Sequence, residues 1–153
     1  MRPIKFRGKR IDNEKWVYGG YCEWSDIKDR KHFQIITGNG HHNEVDPKTV
    51  GQSTGLSDKN DKEIYKGDIV KHSKYAYSPF ENSISVVEWF DENYEYIFKK
   101  RHIKKDDNDP QVYNIERLGN AGGGVGKEFY PEVIGNIHEN VVKQKKSSYL
   151  LTT

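Results

Sequence analysis

The sequence predicts a mainly β protein, and three observations favour this class. Short runs rich in Val, Ile, Tyr, Phe and Trp are separated by Gly, Asn and Asp, a pattern typical of strands joined by tight turns. Apolar residues with helical spacing are scarce. Only 33% of the 153 residues are hydrophobic, yet 12% are aromatic, so burial is concentrated in large rings. We expect a small, strongly bent antiparallel sheet or barrel with little helix, and an α+β fold is the alternative.

The N-terminal part predicts a hairpin followed by a third strand. Apolar and basic side chains alternate from Ile4 to Lys9, so the apolar ones would face the core and the basic ones water or a partner. After a turn at residues 12–15, the aromatic run 16–24 would return beside it, and the pair Gly19-Gly20 indicates a bulge or sharp bend. A strand at residues 32–37 and a polar loop at 41–47 follow.

The second half predicts further antiparallel strands. A kink at Gly67-Asp68 leads into a strand through Ile69 and Val70. Residues 84–90 and 94–99 would form a hairpin around the turn 91–93, and residues 132–137 a closing strand. Residues 111–118 fit either a strand or one or two helical turns. We expect the central strands to be residues 67–70, 86–89 and 132–137.

Composition bounds the class of protein. The 25 Lys and Arg residues against 23 Asp and Glu give a net charge of only +2, so a nucleic-acid site would have to be local. No apolar run approaches the roughly 20 residues of a membrane span, and the N-terminus lacks the apolar stretch of a signal peptide. A single cysteine, Cys22, fits a reducing cytoplasm. We expect a cytoplasmic protein with one domain over residues 1–140 and a basic, flexible tail at 141–153.

Catalytic and metal-binding patterns are weak. The glycine-rich segment 119–126 lacks the third glycine of a dinucleotide-binding fingerprint, and Ala121 and Glu128 stand where a phosphate-binding loop needs Gly and Ser or Thr. His41 and His42 could hold zinc together with nearby acids and His32, but adjacent side chains on an extended chain point apart, which favours a solvated loop. We therefore predict no catalytic residue, no cofactor and no metal.

Cys22 and Asp68 are two further candidates for chemistry. Cys22 lies within a strand pattern, where a buried, inert thiol is the commoner outcome. Asp68 follows a glycine at the start of a strand, so we expect its carboxylate to bind the neighbouring backbone.

Two local basic clusters indicate a candidate surface for nucleic acid or another partner. Residues 1–10 carry five basic side chains and no acidic one, and residues 99–105 carry five more just after the alternating rings of Tyr94, Tyr96 and Phe98. A basic groove beside exposed rings can bind single strands. The alternative is that the rings form the core and the charges a solvated rim, which the low net charge favours. The candidate residues are Lys5, Arg7, Lys9, Lys99, Lys100, Arg101, Lys104 and Lys105.

The order and spacing of four segments resemble the YopX family of phage and prophage proteins. The longest is TVGQSTGLSDKNDKEIYKGDIV at residues 49–70; the others are IKFR at 4–7, VEW at 87–89 and EVIGNIHEN at 132–140. One departure is Asp61, where the family usually has Gly, so the turn type there stays open. The resemblance implies a β-rich fold, self-association and the cytoplasm of a bacterial host, but it supplies no activity and no catalytic residues.

Three functions follow, in order of preference. The first is a phage-encoded, non-enzymatic binding protein that acts through protein–protein contacts, as a homo-oligomer or on a host protein. The second is an accessory single-stranded nucleic-acid-binding protein that uses the basic clusters. The third is a metal-dependent hydrolase. None of the three requires a membrane.

Overall fold

A computed structural model of the chain describes residues 4–73, 83–90, 95–100, 112–114, 126–127 and 130–139. The named elements within these residues are strands and a 3-10 turn at Pro47–Thr49. The first sheet contains β1 (Phe6–Lys9), β2 (Trp16–Ser25), β3 (Lys31–Ile36), β4 (His42–Glu44), β5 (Gly51–Ser57) and β6 (Glu63–Tyr65). The second contains β7 (Asp68–Lys71), β8 (Ile84–Phe90), β9 (Glu95–Lys100), β10 (Val112–Asn114) and β11 (Glu132–Asn136).

The mainly β class is confirmed, and the strands form two antiparallel sheets that do not close into a barrel. The strand order is β4-β3-β2-β1-β5-β6 in the first sheet and β10-β9-β8-β7-β11 in the second. The expected hairpins β1-β2 and β8-β9 are present. No helix in the described part of the chain is long and apolar enough to cross a membrane.

Strand β2 changes partner at the predicted glycine pair. Gly19 pairs with Phe6 of β1, whereas Gly20 pairs with Ile36 of β3. A Cβ atom at Gly19 would lie 2.0 Å from the carbonyl oxygen of Ile36, so only glycine lets the two backbones approach this closely. The C-terminal half of β2 is therefore paired with β3 alone.

Beyond this point β2 and β3 continue as a two-stranded ribbon. Strand β1 reaches only Gly19 on one side, and β4 reaches only Gln34 on the other. Residues 23–32, named here the hairpin arm, find their strand partners within the β2-β3 hairpin alone. An isolated two-stranded ribbon is marginally stable in water, so the arm depends on side-chain contacts.

The core lies between the two sheets. Ile64 of β6 packs with Val70, Val87 and Phe98 of the second sheet, and all four are at most 2% exposed. Burying each such side chain contributes about 1.5–3 kcal/mol. Strands β7 and β8 are interior, as expected, but β11 lies at an edge beside β7, so the expectation of a central strand at 132–137 was wrong.

The segment at residues 49–70 joins the sheets. Gly67, at φ +87°, accepts the amide of Ile137 and donates its own amide to Val87. Buried Asp58 accepts the amides of Asn60 and Lys62 through Oδ1 and the amide of Val133, in β11, through Oδ2. The turn residue Asp61 has a left-handed φ of 63°. One stretch of sequence thus supplies both a tight turn and an anchor for the second sheet.

Some predictions need correction and others lie outside the described residues. Strand β4 and the bridge between Arg10 and Val45 occupy part of the predicted loop 41–47. Strand β10 lies within the undecided segment 111–118. The turn 91–93, most of the glycine-rich segment and the tail 141–153 are outside the described residues.

Candidate functional site

Arg7 is buried, which corrects the expectation that it faces water or a partner. It is 5% exposed, and its Nη2 lies 2.7 Å from Oδ1 of Asp68 in the second sheet. Its guanidinium lies over the rings of Trp16 and Tyr65, at 4.8 and 4.9 Å from their centroids. Side-chain alternation predicts that Arg7 lies on the same face as Lys5 and Lys9. At Arg7 this face is covered by the second sheet, which contributes Asp68.

Asp68 is a structural partner of this arginine. Its Oδ2 accepts the amide of Tyr65 at 2.9 Å, as the sequence predicted for its local backbone. Its Oδ1 also accepts the side-chain amide of Asn136, at 3.3 Å. The Arg7–Asp68 pair therefore connects β1 and β6 of the first sheet with β7 and β11 of the second.

Lys5 is half-exposed and paired. Its Nζ donates to Oε2 of Glu63 at 2.6 Å, and Glu63 also accepts the hydroxyls of Tyr65 and Ser53. Burial alone would raise the pKa of Glu63, but these bonds outweigh burial and hold that pKa below its ordinary value. Burial and the neighbouring Glu63 raise the pKa of Tyr65.

The remaining basic candidates are divided between the sheets. Lys9 donates to the carbonyl of His138 at 3.1 Å, and Lys99 lies 3.3 Å from Glu88. Phe98, one of the rings expected beside the basic groove, is buried in the core. The side chain of Lys100 is not described, and Arg101, Lys104 and Lys105 lie outside the described residues together with Tyr94 and His102.

His41 and His42, for which the sequence favours a solvated loop over a zinc site, both form hydrogen bonds within the protein. His42 lies on β4, where its Nδ1 is 3.1 Å from Oε1 of Gln34, and His41 uses its carbonyl to accept the amide of Thr37. Where the chain is described, three or more His, Cys, Asp or Glu side chains do not come together in a metal-binding arrangement. Cys22 is half-buried and is not part of a disulfide.

The end of the hairpin arm presents apolar side chains to solvent. Ile27 is fully exposed and Trp24 is 44% exposed. The turn that carries Ile27 is ordered by Asp26, whose Oδ1 accepts the amides of Lys28 and Arg30 at 2.8 and 3.0 Å. The backbone amide of Arg30 is the main cause of the lowered pKa of Asp26, although burial opposes it. The ordered turn therefore keeps the side chain of Ile27 exposed to solvent.

His32 connects this arm to β4. Its Nδ1 lies 2.5 Å from Oε1 of Glu44, and its ring stacks on Trp24 with centroids 4.3 Å apart. Its Nε2 lies 3.6 Å from Oδ2 of Asp26 and is buried without a hydrogen bond in the described structure. The bond to Glu44 raises the pKa of His32 against the opposing effect of burial.

Apart from His32, the charges of the arm balance one another. Its three basic and three acidic side chains are Lys28, Arg30, Lys31, Glu23, Asp26 and Asp29. Arg30 pairs with Asp26 at 2.7 Å and Lys31 with Glu23 at 3.2 Å. Such a surface has little long-range attraction for phosphate, so its accessible binding groups are the apolar ones.

The sequence pattern does not predict this arm. The aromatic run ends at Trp24, and residues 25–31 carry no pattern of a strand or a site. The available signal was Ile27, a single branched aliphatic residue within the charged turn DIKDRK. Its exposure depends on how far β1 and β4 extend, which the local sequence does not specify.

Comparison with protein families matches residues 5–143 to the family described as YopX protein. A search of curated proteins finds no match. The family match covers both sheets and the segment that joins them, including the positions of Arg7, Asp58 and Asp68.

Proposed function

This chain belongs to the YopX family, which supplies no catalytic residues that could be assigned to it. We propose that the chain is a non-enzymatic binding protein that acts through protein–protein contacts. The hairpin arm is its docking element. The partner is either a host protein or a second copy of this chain, met in the cytoplasm of a bacterial host carrying the phage or prophage.

The exposure of Ile27 beside Trp24 carries this proposal. Burial of a large apolar side chain contributes about 1.5–3 kcal/mol. Tryptophan is enriched among the residues that dominate interface energies. The turn is already held by Asp26, so little further ordering of its backbone is needed on binding. In this proposal Ile27 and Trp24 are the residues that the partner buries, and the surface around the arm forms the rest of the interface.

Capture from host lysate tests this function. We expect the tagged protein to retain a discrete partner after nuclease treatment and Ile27→Ser to lose that partner at least tenfold. Ile11→Ser is the matched control, because Ile11 is 61% exposed in the turn after β1 and lies outside the arm. Light scattering distinguishes a second copy from a host protein. Equal capture by both variants would reject the arm as the docking element.

Single-stranded nucleic-acid binding is the second candidate. It draws support from the exposed ring of Tyr18, which lies 6.0 Å from Lys5 Nζ and can offer a stacking surface. Its test is affinity for short oligonucleotides as salt is raised. Binding that weakens steeply with salt, with a smaller slope after Lys5→Gln, would favour it over the protein-binding function.

A further inference from the structure

His32 lies between carboxylates supplied by two different elements. Glu44 belongs to β4, which lies outside the arm, whereas Asp26 belongs to the turn that holds Ile27. His32 itself pairs across the ribbon with Trp24. A single imidazole therefore contacts the arm's apolar end, its ordered turn and the neighbouring strand.

A proton on each ring nitrogen suits this geometry. A neutral imidazole has one N–H, and at 2.5 Å the contact with Glu44 uses that N–H at Nδ1. The lone pair of Nε2 would then face the Asp26 carboxylate at 3.6 Å, and two acceptors would oppose each other. Imidazolium carries an N–H on both nitrogens, so it attracts both carboxylates.

Among the charged groups around His32, Glu44 and Asp26 are the two that favour its protonated form. Arg30 faces the same site from the turn and shares Oδ2 of Asp26 with His32, so Glu44, at 2.5 Å, is the stronger of the two partners of the imidazole. On β4, His42 binds Gln34 one position further along the face that carries Glu44. Lys31 and Glu23 pair with each other, and Lys31, adjacent to His32 on β3, points to the opposite face of the ribbon.

We propose that His32 is a proton-dependent latch that fastens the hairpin arm to β4 and so regulates docking by the arm. This inference rests on the proposed protein-binding function. With the proton bound, His32 links Asp26 and Glu44 while its ring stacks on Trp24. When the proton leaves, one carboxylate contact is lost and the ribbon, which β1 and β4 do not flank, becomes looser.

The direction of the pH effect follows from the contacts. Glu44 and Asp26 raise the pKa of folded His32 above its value of about 6.5 in an unfolded chain. The latch therefore contributes fully below about pH 6.5, and its contribution is lost as pH rises through the higher pKa of the folded state. Docking by the arm should weaken over the same range.

Fluorine NMR of the full chain labelled with 5-fluorotryptophan tests the latch without any partner. The three tryptophans give three signals, which single Trp→Phe variants assign. We expect the Trp24 signal to titrate with a midpoint above that of a free histidine. The titration should vanish in His32→Gln, shift to lower pH in Glu44→Gln and remain unchanged in the control His42→Gln.

A Trp24 signal that does not change between pH 5 and 9, or a midpoint that is the same in Glu44→Gln as in the parent protein, would overturn the latch. Glu44→Gln keeps this test valid if His32→Gln fails to fold. Lysate capture at pH 6 and pH 8 separates the two proposals. If the Trp24 signal titrates but no protein is captured at either pH, the docking function alone is contradicted. If capture does not depend on pH and the Trp24 signal does not change with pH, the latch alone is contradicted.

Discussion

At the scale of single residues, Arg7 and Lys5 both form ion pairs, and the two pairs differ in burial. Arg7 and Asp68 form an ion pair at the junction of the two sheets, and the guanidinium also contacts the rings of Trp16 and Tyr65. A buried pair of this kind is costly to break, because the remaining charge stays desolvated and no longer has the opposite charge that offset this penalty. Lys5 and Glu63 form a more exposed pair and have water as an alternative partner.

Arg7→Leu should therefore lower the free energy of unfolding by about 3–5 kcal/mol, because it leaves Asp68 buried without its cation. Lys5→Met should cost no more than about 1 kcal/mol, since its pair with Glu63 is partly solvated. Urea unfolding followed by tryptophan fluorescence measures both. Equal effects of the two variants would show that burial does not distinguish these pairs.

The contrast between Arg7 and Lys5 also shows what the sequence could predict. Alternation along residues 4–9 predicts that both side chains lie on one face. It could not show that β7 would cover Arg7 and leave Lys5 at the surface, because that depends on contacts more than 50 residues away in the chain. The local role of Asp68 was predictable since its backbone bond to Tyr65 spans only three residues.

At the scale of elements, the arm exists because β2 exchanges one neighbour for another. The exchange occurs at Gly19-Gly20, where the sequence indicated a bulge or bend but not its consequence. Strand positions were largely predictable from period and turns. The projection of residues 23–32 was not, since it depends on where β1 and β4 end.

Gly19→Ala should destabilise the protein by about 3 kcal/mol, because the new Cβ would meet the carbonyl oxygen of Ile36 at 2.0 Å and force β2 from β3. Gly20→Ala is a control next to it in the sequence, since no atom outside the adjacent residues lies within 4 Å of its added Cβ. Its effect should stay within about 0.5 kcal/mol. Thermal unfolding of both variants checks this, and a similar loss in each would contradict the close approach at Gly19.

At the scale of the whole molecule, the two sheets are held together by the segment between β5 and β7. Asp58 is 1% exposed and accepts three backbone amides, one of which, Val133, belongs to the second sheet. The motif that carries the family resemblance thus has a structural explanation. It specifies how the sheets are joined and does not assign a chemical activity.

Asp58→Ala should lower stability by about 3 kcal/mol, because the buried amides lose their acceptor. Hydrogen exchange should show the amide of Val133 among those that lose most protection. Asp61→Asn is a suitable control, since Asp61 is exposed in the same turn and Asn also tolerates its φ of 63°. Unchanged exchange at Val133 in Asp58→Ala would mean that this carboxylate does not join the sheets.

Site-specific photocrosslinking tests the central claim, docking through the arm, most directly. A benzoylphenylalanine placed at position 27 should crosslink to one discrete protein in host lysate, and Trp24→Ala should reduce the yield. The same probe at position 11, also in an exposed turn, should give no such product. Identical crosslinks from positions 27 and 11, or a product at 27 that nuclease removes, would contradict the account.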